Sequence, residues 1–114
     1  MTNFINVVAP PCFKCYHPGL PDMRLADDGG TTENDVWQAS TSVGEDHYVL
    51  DVGWWPHNKK YVCRLVLNRN WDQPQEVRTF DYPHEIVAWI GQWFKKLMAR
   101  GATLPAPEPA PVQE

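Results

Sequence analysis

The chain has 114 residues and a mass of 13.1 kDa, enough for one domain with a modest core. With 43% hydrophobic and 21% charged residues it is not a disordered chain. A net charge of −4 argues against general nucleic-acid binding, which needs surplus Lys and Arg, and no apolar run approaches the roughly 20 residues that span a bilayer.

Residues 1–34 read as a Pro/Gly-rich, partly irregular segment. The start, Met1 to Cys12, carries no basic region ahead of an apolar stretch, so no secretory signal is expected and the location is expected to be cytoplasmic. The three cysteines, an odd number, are then expected as reduced thiols. Asn3 to Val8 can supply an edge strand. Pro10, Pro11, Pro18 and Pro21 break residues 10–21 into turns and extended chain. Residues 26–35 look like a solvated acidic loop containing Asp27 and Asp28.

Next comes a periodic block, expected as the core domain over 35–101. Val36 to Val43 predicts a strand, and Gly44-Glu45-Asp46 a tight turn. From His47 to Trp55 the chain alternates, with Tyr48, Leu50, Val52 and Trp54 on one face and His47, Val49, Asp51 and Gly53 on the other. Residues 56–59 predict a second turn. Along Lys60 to Leu67, Tyr61, Cys63, Leu65 and Leu67 share a face. Asn68 to Gln75 links to a short strand over Glu76 to Phe80. Pro83 suits a first helical position, and Ile86, Trp89, Ile90, Trp93, Phe94 and Leu97 recur at helical spacing up to Gly101. Such a wide apolar stripe must pack on the sheet. The expected fold is α+β, an antiparallel four-stranded meander, five-stranded with Asn3 to Val8, against one C-terminal helix. Pro105, Pro107, Pro109 and Pro111 predict a disordered tail over 102–114.

Charge is divided along the chain. Residues 22–51 hold eight acids against Arg24, whereas residues 52–100 hold four acids and eight bases. The two halves can attract within one fold or present faces of opposite sign.

Few motifs carry chemistry. Cys12-Phe-Lys-Cys15-Tyr-His17 has spacing that lets two thiolates and an imidazole bind one zinc, but a fourth ligand must come from Cys63, His47 or His57. It also fits a redox pair, or two ordinary loop cysteines. Cys63 reads as a small core residue. Asp27-Asp28 and Glu45-Asp46 fall in turns, where acids solvate the chain. No catalytic residue is assigned. Of six tryptophans, Trp89 and Trp93 lie on the helical stripe. Trp54 and Trp55 are adjacent on a strand and point to opposite faces. The outer one and Trp71 are candidates for an exposed aromatic patch that docks a protein or stacks sugars or bases; each also fits as a ring lying over the sheet edge.

The residues Asp51-Val-Gly-Trp-Trp-Pro56, Tyr61-Val-Cys-Arg-Leu-Val66, Trp71-Asp-Gln-Pro74 and the helix Glu85 to Trp93 are similar in style to bacterial immunity proteins of polymorphic toxin systems. The resemblance covers residues 46–92, under half the chain, and carries over no functional residues. It implies a small acidic Trp-rich protein that binds and blocks one toxin or effector. Phage-encoded inhibitors of host defences share this profile. Independently of the resemblance, the acidity, small size and many tryptophans fit a non-enzymatic binder in which Asp27, Asp28, Glu45 and Asp46 face a basic surface on a protein partner, with Trp55 and Trp71 as anchors. A small zinc protein using Cys12, Cys15 and His17, and an aromatic-platform ligand binder, are the alternatives.

Overall fold

The computed structural model describes residues 4–15, 19–21, 34–55 and 58–105. Among the described residues, seven strands precede one helix: β1 (Phe4–Asn6), β2 (Lys14–Cys15), β3 (Gly19–Pro21), β4 (Asn34–Val43), β5 (Asp46–Trp55), β6 (Lys60–Leu67), β7 (Glu76–Phe80) and α1 (Pro83–Ala99). Five strands form one antiparallel sheet in the order β2-β4-β5-β6-β7, and α1 packs on it. The α+β expectation holds, and the bounds expected for β6 and β7 match.

The fifth strand differs from the expected one. Residues 4–6 pair instead with β3 in a separate two-stranded ribbon. The sheet gains β2, where Lys14 and Cys15 face Ser40 and Ala39. Phe13 anchors this short strand. Its ring centroid lies 4.6 Å from that of Phe94 on α1, and it is buried. Two residues of pairing cannot hold a strand unaided, so the buried aromatic contact fixes it.

The turns follow their residues. Gly44 adopts φ +61° in the two-residue β4–β5 loop, the conformation that a type II′ hairpin asks of its first turn residue. Near the start of β4 the register shifts between Asp35 and Trp37, a bulge that buries both Val36 and Trp37. The helix ends in a full left-handed cap. Gly101 has φ +91°, its N–H donates to the Met98 carbonyl at 3.0 Å, and the Ala102 N–H donates to the Leu97 carbonyl at 3.1 Å. At the other end the Glu85 carboxylate accepts the N–H groups of Asp81 (3.2 Å) and Tyr82 (3.1 Å), satisfying donors that the helix leaves orphaned.

The core lies between sheet and helix. Trp37, Leu50, Val52, Trp54, Tyr61, Cys63 and Leu65 meet Ile86, Trp89, Ile90, Phe94 and Leu97. The aliphatic ones each contribute about 2 kcal/mol through burial. On the opposite face, Val49, Val62, Val66 and Asp51 are also buried. The Asp51 carboxylate accepts the Gln38 side-chain N–H at 3.1 Å and faces the Arg64 guanidinium at 3.6 Å.

The tail boundary shifts. Thr103 pairs with Ser42, with N–H to carbonyl distances of 2.9 and 2.7 Å, so the chain runs on along β4 beyond Gly101. Residues 106–114 lie outside the described residues. Thr41, fully buried, places its hydroxyl 2.8 Å from two carbonyls, those of Cys12 and Thr103. One hydroxyl proton serves both, so this side chain joins the N-terminal arm to the segment after the helix.

Candidate functional site

Two surfaces stand out. The first is the end of the sheet formed by the β4–β5 turn and the β6–β7 loop. Asn68 and Arg69 both have positive φ, 52° and 63°, a conformation costly for Arg. It is held from both sides. The Asn68 side chain accepts the His47 N–H at 2.8 Å and donates to the Asp46 carboxylate at 3.1 Å, while the Asn68 N–H donates to the His47 carbonyl at 2.7 Å. The loop then tightens through Asn70 N–H to Leu67 carbonyl (3.1 Å) and Gln73 N–H to Asn70 carbonyl (3.3 Å). This fixed corner presents Trp71, 45% exposed, with Asp72 beside it. Glu45 and Asp46 are exposed at the same end.

The second surface is a groove of about 310 Å³ between β7 and α1, lined by Glu76, Arg78, Phe80, Glu85, Ala88, Trp89, Gln92 and Lys96. Its centre is Glu76. One carboxylate oxygen accepts the indole N–H of Trp89 at 2.5 Å and of Trp93 at 3.0 Å. Those two residues sit four apart on α1, so both rings reach the same strand. The Arg78 guanidinium lies 3.7 Å from the other oxygen, and the Lys96 ammonium sits 4.7 Å from the Trp93 ring centroid. Burial pushes the Glu76 carboxyl upward. The bonds from Trp93 and Trp89, with Arg78 and Lys96, outweigh it and hold the group below its ordinary value. Glu76 is therefore an ionised tether between helix and edge strand, poorly suited to give up a proton at neutral pH.

The residues singled out from sequence do not form one cluster. Glu45, Asp46 and Trp71 share the loop end. Trp55 lies at the far end of β5, half-buried, on the face away from the helix, with the Arg64 guanidinium 6.0 Å from its ring centroid. Trp54 is the core member of the pair, as the alternation requires. Asp27, Asp28 and His17 lie outside the described residues. Cys12 and Cys15 are half-buried thiols that pack against the core, with no disulfide between them. Among the described residues no three His, Cys, Asp or Glu side chains gather as a metal site. Cys63 is fully buried. Burial first, then the Asp51 carboxylate, push its thiol far up, against a smaller opposing pull from Arg64, so it stays protonated and inert.

Reading Trp89 and Trp93 only as an apolar stripe misses the Glu76 tether. An indole carries one N–H that needs an acceptor when buried. Two such donors on one helical face signal an acceptor opposite, and Glu76 is the acid on the adjoining strand.

Compared with known proteins, the chain matches no family model, no curated protein and no solved structure. Among the described residues no helix is long and apolar enough to cross a membrane.

Proposed function

We propose that this chain is a non-enzymatic protein-binding inhibitor that neutralises a toxin or effector by direct contact, in the manner of immunity proteins. The observation that carries the reading is Trp71, an exposed ring held on a hydrogen-bonded corner with Glu45, Asp46 and Asp72 at the same end. A large aromatic presented on a fixed backbone loses little freedom on binding, which is the character of an interface anchor. The acids around it, with Asp27 and Asp28 from the acidic N-terminal half, suit a partner with a basic surface and speed its approach.

The test is affinity purification of the tagged full chain, with mass spectrometry of what is retained, then binding measurements on the recovered protein. The expected result is one stoichiometric partner with a basic surface. Trp71→Ala weakens its affinity by roughly 30-fold or more, as for an anchor worth about 2 kcal/mol. Charge reversal at Asp27, Asp28, Glu45 and Asp46 slows association, most at low salt. Unchanged affinity in both variants contradicts the reading. Trp fluorescence quenched by an oligosaccharide or a single strand, and lost in Trp71→Ala, would favour an aromatic platform for such ligands instead.

A further inference from the structure

We propose that the chain pairs with a second copy of itself through β7, forming one continuous antiparallel sheet across a two-fold axis at Val77. This goes beyond the partner reading and does not depend on it.

The sheet has β7 at one edge, and among the described residues no strand pairs with its outer side. Every second N–H and carbonyl along Glu76–Phe80 therefore points outward, with no ladder partner among the described residues. No proline interrupts this stretch. On the opposite side of the sheet, β2 and Thr103 already pair with β4 at Ala39, Ser40 and Ser42.

The sequence of β7 selects the register. The two-fold axis of an antiparallel pair of identical strands passes through a residue that meets its own copy. Centring on Glu76 sets two carboxylates against each other, and centring on Arg78 sets two guanidinium groups together; like charges directly opposite are destabilising. Centring on Thr79 gives the same three-residue overlap as centring on Val77 but sets Arg78 opposite Phe80, with no opposite-charge pair. Centring on Val77 places Glu76 opposite Arg78 of the second copy, and the reverse, giving two opposite-charge pairs. Their side chains lie on the helix side, at the groove, where the Arg78 side chain is 61% exposed. On the other side Val77, 50% exposed, meets its own copy and covers apolar surface that is wet in the single chain. Exposed ion pairs add little energy, so they choose the register, while the backbone ladder and the Val77 contact provide the adhesion.

Sedimentation equilibrium on the full chain, from micromolar to near-millimolar concentration, tests this. The wild-type mass is expected to rise from 13.1 kDa to twice that value. Val77→Glu and Val77→Lys each set like charges on the axis and weaken self-association by roughly tenfold or more, with unchanged circular dichroism. An equimolar mixture of the two variants restores the dimer, since Glu then meets Lys. A wild-type chain that stays monomeric throughout overturns the proposal and leaves the edge for a strand from another protein. Undiminished dimers in both variants also overturn it, because they place the interface elsewhere, as does a mixture no tighter than either variant alone.

Discussion

The C-terminal half of β4 is engaged by three devices that come from far apart in the chain: β2 pairs with Ala39 and Ser40, Thr103 pairs with Ser42, and the Thr41 hydroxyl reaches both flanking carbonyls. Among the described residues, the β7 edge is held from behind, by β6 and by the Glu76 carboxylate that Trp89 and Trp93 grip from the helix. An open edge is a template for strand addition, and proteins usually shorten, charge or cover it. Here β7 is short and carries charges, and among the described residues no strand covers it. The contrast teaches that segments distant in sequence pair along part of one side while side-chain tethers fix the position of the other, where the outward backbone groups have no ladder partner among the described residues.

The largest expected break of the engaged side is Phe13→Ala. Removing a buried ring that docks on Phe94 should cost about 3 kcal/mol, read as a lower urea midpoint, and should expose the Ala39 and Ser40 side of β4 to proteolysis. At the other edge, Glu76→Ala should cost about 2 kcal/mol in the same measurement, because Trp89 loses the acceptor for a buried N–H. Glu76→Gln should cost less, since its carbonyl oxygen still accepts one or both indoles. Thr41→Val should cost about 1 kcal/mol and speed hydrogen exchange at Ser42, whose N–H donates to the Thr103 carbonyl that Thr41 helps to hold.

A smaller, pH-dependent effect sharpens the comparison. The folded-state pKa of Glu76 is depressed, so the folded protein binds fewer protons there than the unfolded chain does. Its contribution is complete above the ordinary Glu value and is lost as pH falls through the lowered one. Wild type minus Glu76→Gln stability should therefore shrink over that acidic interval and stay flat above it. A difference that grows on acidification would reverse the sign. Smallest of all, Val77→Lys should leave folding stability within about 0.5 kcal/mol, as an exposed position does, while changing self-association.

The sheet and helix were legible in the sequence because their signals are local. Pro83 and Gly101 bracket α1, and the alternation from Tyr48 to Trp54 marks the buried face of β5. The fifth strand was not legible. Asn3 to Val8 has the better strand pattern, yet Lys14–Cys15 joins the sheet because Phe13 next to it is buried against Phe94. That contact spans most of the chain and leaves no periodic trace. Thr103 was hidden for the same reason, since pairing with Ser42 depends on the helix end delivering it there. Of the candidate site, exposure of Trp71 could be read from a polar, Pro-flanked loop. The left-handed corner at Asn68 and Arg69 could not, because Arg is a poor residue for that conformation and only the Asn68 bonds to His47 and Asp46 account for it.

The most direct test of two unlike edges is residue-resolved amide hydrogen exchange on a dilute sample, where any self-association is reversed. The account predicts strong protection for the N–H groups of Ser42 and Thr103. Along Glu76–Phe80 it predicts alternation, with inward amides protected and outward ones exchanging close to the rate of an unstructured chain. Uniform protection along β7 at that dilution, or fast exchange at Ser42 and Thr103, would contradict it.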